Sequence, residues 1–145
     1  MERVEVLLVE DDPNDADLVL HVLRKNNIAN EVHVVEDGKE ALDFLFCRGD
    51  YSDRDITHPP KLVLLDLKLP HVQGHDVLKQ VRENEKTRSI PVVILTSSGL
   101  DYDITKGYKL GVNSYVQKPV DFDEFQKAVE LLGRYWLTLN KTSIE

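Results

Sequence analysis

Five short apolar runs, each of strand length, alternate along the chain with stretches whose apolar residues fall at helical spacing. The runs are VEVLLV at 4–9, EVHVVE at 31–36, LVLLD at 62–66, PVVILT at 91–96 and SYVQK at 114–118. They are rich in β-branched residues, which favour a pleated surface. Ala16, Val19, Leu20 and Leu23 fall at i, i+3, i+4 and i+7, one face of a helix. Further helices are predicted near 38–48, 75–85 and 101–110. The last helix has the sharpest start: Asp121 with Glu124 reads as a capping box and Val120 with Phe125 as the staple around it. Its apolar stripe runs through Phe122, Phe125, Val129, Leu132, Trp136 and Leu139.

Strict strand–helix alternation requires right-handed crossovers, and these build a parallel sheet with helices on both faces. The expected fold is therefore α/β, a doubly wound (βα)5 three-layer sandwich. At 145 residues one domain is expected, over 1–140, with a tail at 141–145 and no output domain. The segment GDYSDRDITHPP at 49–60 is predicted to be a long surface loop.

Eighteen basic against 26 acidic residues give a net charge of -8, which argues against a nucleic-acid or anionic-membrane partner. No run of about eighteen apolar residues is present to span a bilayer, and the expected location is cytoplasmic. The single cysteine, Cys47, has no partner for an internal disulfide and reads as a small core residue.

Polar residues gather at the strand ends. Strand one finishes in Glu10 and Asp11, strand three in Asp66, strand four in Thr96, and strand five in Lys118 before Pro119. In an open α/β sheet the ligand site lies beyond those ends, where strand order reverses. With an order of 2-1-3-4-5, strands one and three are neighbours and their carboxylates converge. Such a cluster calls for a hard divalent cation, Mg²⁺ or Mn²⁺, bound through oxygen. A carboxylate in this setting also serves as a nucleophile toward phosphorus. Asp66 is the candidate, with the Lys118 ammonium and the Thr96 hydroxyl on the other phosphoryl oxygens. Asp12 before Pro13 has the pattern of an N-cap instead.

These motifs, in this order, resemble the response-regulator receiver domain of two-component signalling. The resemblance runs from Val4 to about Leu139 and is carried by Glu10-Asp11, the DLKLPHVQG segment with Asp66, Pro70 and Gly74, the TSS segment opened by Thr96, and Lys118-Pro119. Thr96 stands 30 residues after Asp66, Tyr115 a further 19, and Lys118 three more. The resemblance implies that Asp66 accepts a phosphoryl group from a sensor histidine kinase. It also implies that Asp11 binds the metal directly, Glu10 binds it through water, and the Lys68 carbonyl is a further ligand. Thr96 and Tyr115 would form the switch pair, the Lys118–Pro119 bond would be cis, and the signal would leave through helix four, strand five and helix five. A homodimer through that face is expected. Leu69 stands where many receivers carry methionine. Lys68 occupies a position that in the family tunes phosphate lifetime. The 49–60 loop, FLFCRGDY before it and the late GRYWLTLN resemble small stand-alone regulators that partner bacteriophytochrome-type histidine kinases.

Other readings compete. A Mg²⁺-dependent aspartyl-phosphate hydrolase would carry a second acid two residues after its nucleophile, where this chain has Lys68. A degenerate receiver used only for docking would have no need of the complete acid set. His71 and His75 are four apart, but Pro70 and Gly74 oppose the rigid helix a zinc pair needs. Taken alone, Tyr115 also reads as a packing aromatic of an edge strand.

Overall fold

The structure is a computed structural model and describes residues 4–141. The tail expected over 141–145 lies, apart from Lys141, outside the described residues. Five strands alternate with five helices: β1 Val6–Val9, α1 Pro13–Lys25, β2 Val32–Val35, α2 Gly38–Leu45, β3 Leu62–Leu65, α3 Gly74–Glu83, β4 Val92–Thr96, α4 Asp101–Lys109, β5 Ser114–Gln117 and α5 Phe122–Arg134. A 3₁₀ turn at Gly49–Tyr51 follows α2, and a π-helical turn at Tyr135–Leu139 extends α5. All strand pairs are parallel, in the order β2-β1-β3-β4-β5. The predicted doubly wound fold is the observed one.

The sheet is buried on both faces, which explains why its central strands are apolar without alternation. Leu7, Val9, Val63, Leu65, Val92 and Ile94 point to a core shared with α2 and α3. Val6, Leu8, Leu62, Leu64, Val93 and Leu95 point to a second core, shared with α1 and α5. Helix α1 buries Ala16, Val19, Val22 and Leu23, so its seam is shifted slightly from the predicted one, with Leu20 at its half-buried edge. Helix α4 differs from the rest, since Gly107 is its one fully buried residue.

Local rules set the helix starts. Asp12 caps α1, its side chain accepting from the backbone N–H groups of Asn14 (2.9 Å) and Asp15 (3.3 Å), with Pro13 in the first turn. Asp121 caps α5 by accepting from Glu124 N–H (3.0 Å). The expected staple is absent: Val120 is wholly exposed while Phe125 is buried in the core beside α1. Burial of Phe125 against the sheet wins over a local contact with Val120. The α5 stripe is likewise narrower than predicted, with Phe122 and Leu139 exposed.

The 49–60 segment is tied down more firmly than a free loop. The Arg54 guanidinium lies 3.7 Å over the Phe44 ring and donates to the Phe44 carbonyl. Tyr51 donates its hydroxyl to Glu40 (2.7 Å) and sits 2.9 Å from His33 Nε2. Cys47, expected in the core, is half-buried with a positive φ of 55° and its sulfur is 3.4 Å from Arg54.

Candidate functional site

The parallel register sets the carboxyl ends of β1, β3 and β4 side by side, with Val9 opposite Leu65 and Leu65 opposite Ile94. The residues just past those ends meet at one mouth. Oxygen atoms of Glu10, Asp11 and Asp66 all lie within 4.8 Å of one another. Glu10 and Asp66 are buried, and Asp11 is exposed at the rim. Gly74 allows the β3–α3 loop to close under the site, because a Cβ there would sit 2.2 Å from the Asp66 carbonyl oxygen.

Lys118 arrives from the end of β5. Its ammonium contacts Glu10 Oε1 at 2.5 Å, Asp15 Oδ2 at 2.9 Å and Asp66 Oδ2 at 3.1 Å. The other Asp66 oxygen accepts from the backbone N–H of Leu67 (2.7 Å). Burial alone would raise the Asp66 carboxyl, but the Thr96 hydroxyl and the Lys118 charge outweigh it and hold the group below the usual range. For Glu10 burial prevails over Lys118 and, with the Asp66 charge adding to it, pushes the carboxyl up to about 7. Of this pair, Glu10 holds its proton to the higher pH. Burial opposes the Lys118 charge too, yet its hydrogen bonds to Glu10 and Asp15 raise its pKa above the ordinary lysine value.

Thr96 is buried at the end of β4. Tyr115, on neighbouring β5, is half-buried against the core and donates its hydroxyl to the Ser98 carbonyl (2.8 Å). That bond pins the ring over the start of the β4–α4 loop. Lys68 has an exposed side chain. The carbonyls on either side of it are engaged, Leu67 by Gly74 N–H (2.8 Å) and Leu69 by Gln73 Nε2 (3.0 Å). Among the described residues the Lys68 carbonyl accepts no hydrogen bond. The three convergent carboxylates form an all-oxygen donor set that suits a hard divalent cation.

One expectation is corrected. The Lys118–Pro119 bond is trans, as are all described peptide bonds. Trans is the form X-Pro favours by about 0.5–1 kcal/mol. In it Lys118 already donates its backbone N–H to the Thr96 carbonyl (2.7 Å) and its ammonium reaches Glu10, Asp15 and Asp66. The histidines do not pair: His71 is exposed near Asp37 (3.4 Å), whereas His75 is buried and donates Nε2 to the Asp103 carbonyl (3.1 Å). Asp15 went unnoticed in the sequence, where an acid in the first turn of a helix reads as a partner of the helix dipole.

The response regulator receiver domain family model matches residues 6–130, and the chain belongs to that family. It is 37% identical to the response regulator Rcp1 of Synechocystis, over 91% of this chain and 88% of that protein. The Mn²⁺-bound structure of Rcp1 superposes with a TM-score of 0.89 at 35% identity, covering 98% of this chain and 99% of that one. The phosphorylated cyanobacterial phytochrome response regulator RcpA gives a TM-score of 0.90 at 32% identity, over 97% of this chain and 99% of that one. The bacteriophytochrome response regulator RtBRR is 50% identical, with a TM-score of 0.75, over 96% and 83% of the two chains.

Proposed function

We propose that this receiver is a phosphorylation-driven switch whose acceptor is Asp66. The observation that carries the reading is the Lys118 ammonium bound to both Glu10 and Asp66 at the mouth between β1 and β3. An Asp66 carboxylate oxygen attacks the phosphorus of a kinase phosphohistidine. The new O–P bond forms as the P–N bond breaks, and the imidazole nitrogen leaves with the electron pair. Lys118 and Thr96 hold the equatorial oxygens of the group in transfer. Glu10, Asp11, Asp66 and the Lys68 carbonyl would hold Mg²⁺ or Mn²⁺, which supplies positive charge against the phosphoryl oxygens. That Rcp1 was solved with Mn²⁺ and RcpA in phosphorylated form supports both parts.

The phytochrome response regulators among these relatives favour a bacteriophytochrome-type histidine kinase as donor, and the chain would act as a single receiver over 1–140 working in the cytoplasm. The output is a changed surface and not turnover. As Thr96 turns toward the phosphoryl group, Tyr115 gives up Ser98 and moves inward, altering the α4, β5 and α5 face through which a homodimer tightens. A hydrolase would need an acid where Lys68 stands exposed.

Incubation with acetyl phosphate and Mg²⁺, followed by intact-mass measurement, tests the acceptor. One phosphoryl group should add to the wild-type chain and none to Asp66→Asn. Full labelling of that variant would reject Asp66.

A further inference from the structure

An ammonium has three N–H donors and no acceptor. In this structure each donor of Lys118 has its own carboxylate: Glu10, Asp15 and Asp66. Two of the three belong to the cluster that would take a divalent cation, and one of those two also takes the phosphoryl group. Asp15 lies outside that cluster. It stands in the first turn of α1, and its backbone N–H is held by the Asp12 cap (3.3 Å). The carboxylate is half-buried and 2.9 Å from the ammonium.

We infer that Asp15 is a positioning residue for Lys118, the anchor that keeps the ammonium at the mouth once Glu10 and Asp66 turn to other work. This rests on the receiver reading above. When Glu10 becomes a ligand its hold on Lys118 weakens, and when Asp66 is esterified the charge leaves its carboxylate oxygens for the phosphoryl oxygens. Without Asp15 the long, flexible lysine stem would be free to take up other rotamers before the phosphoryl oxygens arrive. With it, one donor stays tied to α1 and the other two face the incoming group. The contact joins residues 103 positions apart, so it also couples the start of α1 to the end of β5.

The test is a double-mutant cycle with Asp15→Ala, Lys118→Ala and the pair, reading the rate of beryllofluoride binding in Mg²⁺. A charge-assisted contact of this kind should be worth roughly tenfold. Asp15→Ala is expected to slow binding by about that factor in the wild-type background and to change nothing once Lys118 is gone. Asp15→Asn, which keeps an acceptor oxygen at the same reach, should recover part of the loss. Mg²⁺ affinity, measured separately, should stay within about twofold, since Asp15 is not a ligand. An unchanged rate in Asp15→Ala, or the same slowing with and without Lys118, would overturn the assignment.

A second measurement is independent of phosphoryl chemistry. The ¹⁵Nζ resonance of Lys118 should remain sharp in the Mg²⁺-loaded wild type and broaden in Asp15→Ala; identical spectra would overturn the anchor. A wild-type chain that takes no beryllofluoride would count against the receiver reading, and the lysine resonance would still decide the role of Asp15.

Discussion

At the scale of single residues, the site is defined by unequal treatment of two neighbouring acids. Glu10 and Asp66 are both buried and both touch Lys118, yet Glu10 is pushed up to about 7 and Asp66 is held down. The Thr96 hydroxyl serves Asp66 alone, and the contact between the two acids lowers Asp66 while it raises Glu10. The raised Glu10 has a thermodynamic consequence. A carboxyl with a higher pKa in the folded state makes that state bind more protons between about 4.5 and about 7. Its stabilising contribution is complete below that window and lost as pH rises through it. Metal-free protein should therefore lose stability from pH 5 to pH 7.5, by an amount on the order of 3 kcal/mol at most. Asp66, shifted the other way, titrates below this range. Divalent-cation affinity should move in the opposite sense and weaken as pH falls below about 7, because Glu10 must first release its proton. Urea midpoints measured with a chelator, beside Mg²⁺ titrations at matched pH, check both halves. In Glu10→Gln the stability slope should flatten; an unchanged slope would assign it to another group.

At the scale of elements, the sequence carried the strands and most helix boundaries because they follow from local pattern. β-branched runs, the Asp12 cap and the polar strand ends need no tertiary knowledge. Contacts that join distant segments were hidden. Arg82 is an example: on an amphipathic helix it reads as a solvated charge. In the structure its guanidinium donates from Nε to the Gly111 carbonyl (2.8 Å) and from one terminal nitrogen to the Arg88 (2.9 Å) and Ile90 (2.8 Å) carbonyls. The other terminal nitrogen donates to Asn113 Oδ1 (2.7 Å). One side chain thus fastens α3 to the approaches of both β4 and β5. Arg82→Ala should cost about 2 kcal/mol in chemical denaturation, since several carbonyls lose a charged donor together. Arg82→Lys should recover little of it, because the fork geometry is lost. Full recovery with lysine would reduce the clamp to simple charge. The failed Val120 staple teaches the converse lesson: a local pattern yields when the core claims one partner. The anchoring of the 49–60 segment by Arg54 and Tyr51 was equally illegible, since a polar stretch ending in two prolines gives no hint of a ring beneath it.

At the scale of the whole molecule, the end of the sheet that carries the polar chemistry also carries exposed apolar groups, Leu100 and Tyr102 after β4 and Val120 and Phe122 after β5. Tyr102 is 71% exposed and Tyr108 52%, whereas Tyr115 is half-buried and bonded to Ser98. In the proposed dimer the first two, with Leu100 and Phe122, would be the anchors for association through α4, β5 and α5. In the same proposal Tyr115 would transmit the change and not anchor the dimer. Activation should tighten a dimer by about 5–150-fold, the range of ordinary coupling energies. Sedimentation across a concentration series, with and without beryllofluoride, measures that ratio. Tyr102→Ala should weaken association while leaving phosphoryl uptake unchanged, and a monomer under every condition would remove the dimer from the reading.

The single buried residue of α4 has a further consequence, for the statistics of the helix's position. Gly107 contributes no side chain, and a Cβ there would meet Ile94 at 3.1 Å, so the helix rests directly on the sheet with little apolar area fixing its orientation. Alternative placements of such an element would be separated by small free energies and thermally sampled before any signal arrives. A coupling of about 1–3 kcal/mol is then enough to redistribute them, though short of the roughly 5.5 kcal/mol needed to carry an equilibrium from one extreme to the other. The proposed switch would in this sense be a dimmer, with residual output when unmodified and incomplete output when modified. Amide hydrogen exchange gives the signature: α4 should open well before α1 in the unmodified protein, and equal protection of the two helices would mean that the hydrogen bonds of Asp103 to His75 and Ser98 hold α4 as firmly as packing holds α1.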